Sequence, residues 1–212
     1  MTTIITNQFE LGESTILWKE NVLPDSLHSA LLESFQTMEW YGGDYRGREI
    51  SRKQRWYHLD GSYFCKQWPQ FDRWQSNDYS DLLLCTQNYI QNYVQHTLNI
   101  DVDINSVLIN CYDHGNIVIP KHRDNENIFG ENPIVVVVSL GSTRTLRFTR
   151  VEPFSISFKA VGQVIDIDLK PKSILIMTGT TQKYFCHELL KSDSTDPRYS
   201  MTFRNHSLGK TV

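Results

Sequence analysis

Asn110-Cys-Tyr112-Asp-His-Gly-Asn-Ile-Val-Ile-Pro-Lys-His122-Arg-Asp124-Asn-Glu126-Asn-Ile-Phe-Gly-Glu-Asn-Pro-Ile-Val-Val-Val-Val-Ser139-Leu-Gly141 is the stretch on which the reading of this chain turns. It reads as strand, turn and strand, with His122 and Asp124 at its centre. On an extended backbone residues i and i+2 point to the same side, so an imidazole and a carboxylate converge there. Alone, a His-x-Asp is more often surface chemistry or a local hydrogen bond. Here it precedes a strongly apolar strand, and a second histidine, His187, lies on a later strand candidate. Two histidines and one carboxylate on one face of a metal form the facial triad of non-haem iron(II) oxygenases. His28, His58, His96, His114 and His206 lack that strand context.

Outward from this stretch the chain divides by period. Pro24-Asp25-Ser26 starts a helix whose apolar face is Leu27, Leu31, Phe35 and Met38, ending near Glu39. Ser80-Asp81 starts a second, ending around Leu98. Ile16 to Trp18 reads as a short strand, and residues 65–78, with Trp68-Pro69 and Trp74, as a connection. From Val107 onward strands follow closely: 107–109, 134–140, 146–149, 154–158, 164–169, 174–177, 184–188 and 199–203. Many short strands after two helices imply an α+β, mostly β chain with a closed or two-sheet architecture.

Arg198 and Arg204 sit six residues apart on the last strand candidate and therefore face one cavity. Buried cations need anions. A dicarboxylate such as 2-oxoglutarate supplies them; so do acidic side chains such as Glu188 or Asp196. Between Trp40 and Gly61, glycines interrupt regular structure, and Arg46, Arg48, Arg52, Lys53 and Arg55 lie among Trp40, Tyr41, Tyr45, Trp56 and Tyr57. Basic groups hold phosphates while aromatic faces stack on bases. By composition alone, a solvated surface loop explains the same residues.

The 212 residues suit one domain, and 40% hydrophobic with 21% charged residues is an ordinary globular balance. A net charge of -3 does not suggest a whole-surface nucleic-acid binder, so phosphate contacts must be local. Cys65, Cys85, Cys111 and Cys186 show no metal-binding spacing and read as free thiols. The N-terminus lacks a secretory pattern and no apolar run reaches membrane-spanning length. The expectation is a soluble, intracellular protein, cytoplasmic or nuclear, with no membrane partner.

Taken together, Asn110-Cys-Tyr112, His122-Arg-Asp124-Asn-Glu126, Ser139-Leu-Gly141, His187 and Arg198 through Arg204 resemble the AlkB family of iron(II)- and 2-oxoglutarate-dependent dioxygenases. Arg52-Lys53-Gln54, with Tyr57 and Gly61, is similar to the substrate lid of its nucleic-acid-repair members. The resemblance implies a double-stranded β-helix, or jelly roll. Within a single domain 1–212, about 1–105 would form N-terminal helices and a nucleotide-recognition lid, and about 106–206 the catalytic core. It implies iron on His122, Asp124 and His187, and 2-oxoglutarate on Asn110, Tyr112, Arg198 and Arg204. It also implies a damaged base read by Glu126 and stacked on Tyr57, Tyr63 or Phe64, with Arg52, Lys53 and Gln54 in the lid. Ser200 departs from the asparagine that some members carry there. The implied reaction consumes O2 and demethylates 1-methyladenine or 3-methylcytosine in DNA or RNA, releasing formaldehyde, succinate and CO2. The expected state is a monomer. An oxygenase acting on protein, lipid or a small molecule shares the triad, and a non-catalytic jelly-roll binding module is a third reading.

Overall fold

A computed structural model describes residues 2–45, 48–65, 74–124, 126–153 and 155–206, with the backbone alone at 44, 45, 48, 49, 97, 126 and 127. The chain opens with a hairpin of β1 (Thr2–Phe9) and β2 (Gly12–Lys19), followed by α1 (Asp25–Thr37). Next come the short pair β3 (Asp44–Tyr45) and β4 (Arg48–Glu49), then β5 (Lys53–His58), β6 (Ser76–Asn77) and α2 (Asp81–Leu98). The second half runs β7 (Ser106–Tyr112), β8 (Ile119–His122), α3 (Glu126–Phe129), β9 (Val135–Gly141), β10 (Arg144–Val151) and β11 (Ala160–Leu169). It closes with β12 (Ile174–Gly179), α4 (Thr181–Tyr184), β13 (Phe185–Leu189) and β14 (Arg198–Arg204).

Among the described residues, the major sheet has the order β1-β2-β12-β9-β14-β7-β5-β6, and a four-stranded minor sheet the order β11-β10-β13-β8. The two sheets form the jelly roll. Side-chain alternation then explains why β7 and β9 are apolar almost throughout. Val136, Val138, Ile109, Met201 and Phe203 turn outward and pack under Leu31 and Phe35 of α1 and Ile90 and Val94 of α2. Val135, Val137 and Met177 turn inward and meet Leu146, Phe148 and Leu189 of the minor sheet. The central strands β7, β9 and β14 of the major sheet are thus buried on both faces.

Both helices follow their sequence signals. The Ser80 hydroxyl caps α2 by accepting from the Leu83 N–H at 3.2 Å. Asn99 ends it in the left-handed conformation, φ 53°. Three expectations need correction. The region 40–61 is not only loop, because β5 pairs along β7. Its polar side chains have specific buried partners: Gln54 donates to Asn110, and His58 packs against His206. Of the strand expected at 154–158, the described residues 155–158 form a turn between β10 and β11. Phe158 has φ 51°, which breaks an extended run, and the Glu152 N–H closes the loop on the Lys159 carbonyl at 3.1 Å. Phe154, Arg46 and Trp68-Pro69 lie outside the described residues. The N-terminal half is more than helices and lid, because β1, β2, β5 and β6 all join the major sheet.

Gly141 shows why β9 ends on Ser139-Leu140-Gly141. Its φ is +76°, and a Cβ there would lie 2.4 Å from the Pro197 carbonyl oxygen. Pro197 leads directly into β14, so the glycine lets β14 enter beside β9. Gly141→Ala is expected to lower stability by about 1–3 kcal/mol in urea unfolding, and an unchanged midpoint would contradict this packing.

Candidate metal centre and its cavity

His122 and His187 meet because β13 pairs with β8 in a register that sets them directly opposite each other. Their ring centroids are 4.3 Å apart. Asp124 follows two residues beyond His122, and its backbone N–H donates to Gln182 Oε1 at 2.9 Å. One ligand atom from each of His122, Asp124 and His187 lies within 4.8 Å of the others. This is the only such cluster among the described residues, and it unites the three sequence candidates.

The electrostatics suit a cation. Burial pushes the His187 imidazole down to about 3, and neighbouring His122 adds to the shift. Burial likewise lowers His122, with Asp124 opposing. Both rings are therefore neutral at pH 7, as metal ligation requires. The His122 Nδ1 lies 2.8 Å from the Pro120 carbonyl, to which it donates when protonated, leaving Nε2 for a metal. Burial alone would raise Asp124, but the Arg204 guanidinium, the largest opposing charge, holds its carboxyl below the usual range. The Arg204 Nη2 donates to Asp124 Oδ1 at 3.0 Å, and its Nε to Oδ2 at 3.2 Å.

A cavity of about 680 Å³ opens from this cluster and extends between the sheets. Arg198, Arg204, Asn110 and Tyr112 all line it, brought together by the pairing of β14 with β7. Arg198 is 2% exposed, and its Nη2 donates to Ser139 Oγ at 3.2 Å. Its guanidinium lies 5.2 Å from the Tyr112 ring centroid. Among the described residues it has no carboxylate in ion-pair range. The acidic pairing considered from sequence therefore applies to Arg204 alone, and its partner is Asp124, neither Glu188 nor Asp196. The donor set fits a metal, and the unpaired buried cation fits an anionic co-substrate beside it.

The lid residues scatter. Arg52 lines the cavity instead of facing solvent, and burial lowers its guanidinium, with Tyr112 opposing. Lys53 is half-exposed and pairs with Asp113 at 2.8 Å. Arg55 lies 4.6 Å over the Tyr41 ring. No continuous basic stripe results from these three. Tyr57 does not reach the cavity. It points to the helix side of the sheet, 5% exposed, against Tyr79 and Met38. Gln54 is buried in the cavity wall. Of the aromatic candidates, Phe64 lines the cavity, stacked 4.4 Å from Trp74, which sequence reading had assigned to a connection. Tyr63 packs beside Trp56 and Trp74, outside the lining. Glu126 opens α3 within reach of the triad in sequence, but its side chain lies outside what is described.

Three supporting residues were missed from sequence. Gln182 holds the backbone of Asp124. Phe129 lies 4.5 Å from the Arg204 guanidinium. Arg144, 1% exposed, donates to the carbonyls of Ile117 at 2.9 Å and of Leu190. None stands in a local pattern that spacing could have detected.

A profile of the 2OG-Fe(II) oxygenase superfamily matches residues 15–204. The chain belongs to that superfamily. Within it the chain is of the AlkB family. It is 32% identical over 126 residues to human alpha-ketoglutarate-dependent dioxygenase alkB homolog 3, covering 58% of this chain and 42% of that protein. The match thus spans about two-fifths of the relative's length. The solved structure of OsALKBH1 superposes with a TM-score of 0.65 at 15% identity, covering 95% of this chain and all of the other. A prolyl hydroxylase from Trichoplax adhaerens, solved with a hypoxia inducible factor peptide, gives 0.53 at 15% identity over 90% of this chain and 83% of that one. These two share the fold. The superfamily's cofactor set, iron(II), 2-oxoglutarate and O2, agrees with the cluster of His122, Asp124 and His187.

The ion pair offers a direct check. Removing Arg204 leaves Asp124 buried without its counter-charge. Arg204→Met is expected to lower the stability of metal-free protein by about 3–5 kcal/mol, and by less once Mn(II) supplies positive charge. Equal losses with and without Mn(II) would contradict a shared site.

Proposed function

We propose that this chain is an iron(II)- and 2-oxoglutarate-dependent dioxygenase that demethylates N-alkylated bases, such as 1-methyladenine and 3-methylcytosine, in DNA or RNA. The observation that carries the oxygenase reading is Arg198, a buried cation without a carboxylate partner among the described residues, in the same cavity as the triad. His122, Asp124 and His187 hold the iron. Arg198 binds the distal carboxylate of 2-oxoglutarate, while Asn110 and Tyr112 donate to the co-substrate from β7. Arg204 stays by the metal end, orienting Asp124 through its ion pair.

Bound iron, with 2-oxoglutarate and O2, supplies oxidation of the N-methyl carbon, giving formaldehyde, succinate, CO2 and the unmethylated base. No side chain acts as a nucleophile. The protein orients the methyl group and keeps water away. The nucleic-acid part of the reading rests on the AlkB-type relatives and on the aromatic wall of Phe64 against Trp74. Such a wall accepts the flat face of an extruded base. Arg52, inside the cavity, meets a base carbonyl or the phosphate of the flipped nucleotide. Glu126 accepts from the exocyclic amine. Extrusion costs roughly a few kcal/mol, less where methylation already blocks pairing.

The test is incubation with iron(II), 2-oxoglutarate and O2 on matched methylated DNA and RNA oligonucleotides, with mass spectrometry of the bases. Equimolar formaldehyde and succinate are expected, both abolished in His122→Ala. Turnover of peptide or small-molecule substrates with none of the oligonucleotides would transfer the activity to another substrate class. Phe64→Ala is expected to weaken methylated-oligonucleotide binding by about 1–3 kcal/mol. Unchanged affinity would remove Phe64 from the base site.

A further inference from the structure

Four polar side chains lie in one row across the middle of the major sheet. Gln54 of β5 stands opposite Asn110 of β7, Asn110 opposite Ser200 of β14, and Ser200 opposite Ser139 of β9. All four are buried, with Gln54 only 1% exposed. Opposed residues on adjacent strands share a face, so the row forms a polar band inside an otherwise apolar wall. Its far end is tied to Arg198, whose Nη2 donates to Ser139 Oγ.

The hydrogen bonds along this row have a direction. The Gln54 Nε2 donates to Asn110 Oδ1 at 2.8 Å. The Asn110 Nδ2 then points the other way, towards Ser200 Oγ at 3.4 Å, a long contact. An asparagine serves an anion only through its N–H2, and turned around it presents a carbonyl that repels one. With Oδ1 engaged by Gln54, the Nδ2 end of the Asn110 amide is the one turned towards Ser200. Ser200, shorter than an asparagine, offers no second amide. Gln54 Oε1 is buried without a partner among the described residues.

We infer that Gln54 is a positioning residue for the anionic co-substrate, holding Asn110 with its donor towards the carboxylate and so joining the lid-side strand β5 to the co-substrate pocket. This replaces a substrate-contact role for Gln54, and it rests on the reading of Asn110 as a co-substrate ligand.

The experiment is a double-mutant cycle on the full chain loaded with Mn(II), measuring 2-oxoglutarate binding by titration calorimetry. Mn(II) affinity and thermal melting are followed in parallel. Gln54→Met is expected to raise the dissociation constant for 2-oxoglutarate about 3- to 10-fold, the effect of one neutral hydrogen bond. Mn(II) affinity should stay within about twofold. In the Asn110→Ala background the same substitution should produce no further loss. Gln54→Leu takes its place if Gln54→Met does not melt cooperatively. An unchanged constant in the folded Gln54 variant, or a full loss repeated in the Asn110→Ala background, overturns the inference. If Asn110→Ala alone leaves 2-oxoglutarate binding intact, the assignment of Asn110 falls, and the inference with it.

Discussion

Among the described residues no carboxylate meets the buried Arg198, and much of the site is arranged around that charge. A lone buried cation is unfavourable unless hydrogen bonds or an anion compensate it. The protein supplies part of this with the Ser139 hydroxyl and the nearby Tyr112 ring, leaving the rest to a ligand. Six residues along the same strand, Arg204 meets the opposite fate. It is paired on Asp124, which keeps that carboxylate ionised although it is buried. One strand therefore carries a paired cation at the metal end and, at the far end, one with no carboxylate partner among the described residues. The proposed dicarboxylate spans from the metal end to Arg198.

Much of this was legible because strand chemistry has period two. His122 with Asp124, and Arg198 with Arg204, were placed on shared faces by counting alone, and the structure sets both pairs around one cavity. The same parity explains the failure at Tyr57. It is an odd number of residues from Gln54, so once β5 forms, the two must face opposite sides of the sheet. Composition alone gives this segment no strand signal, so parity has nothing to act on. β5 was obscured by its charged composition, and β1 by its exposed Thr and Gln positions. Both are strands defined by their neighbours more than by local propensity.

What spacing did not reveal is long-range support. Gln182 reaches Asp124 across 58 positions, and Gln54 reaches Asn110 across 56. Such partners depend on sheet order, which places β5 beside β7 and β8 beside β13. The basic lid shows the same limit from the other side. Arg52, Lys53 and Arg55 read as one patch, yet they separate into a cavity residue, a surface ion pair and a cation over an aromatic ring. The modest net charge of -3 agrees with recognition that relies more on an aromatic pocket than on a broad phosphate-binding surface.

The central claim is that one cavity holds a metal on the triad and a dicarboxylate spanning from that metal to Arg198. A crystal structure of the chain grown with Mn(II) and 2-oxoglutarate without O2 addresses it directly. The account predicts one ion ligated by His122, Asp124 and His187, with the distal carboxylate on Arg198. A metal bound elsewhere, or 2-oxoglutarate lying away from Arg198, would contradict it.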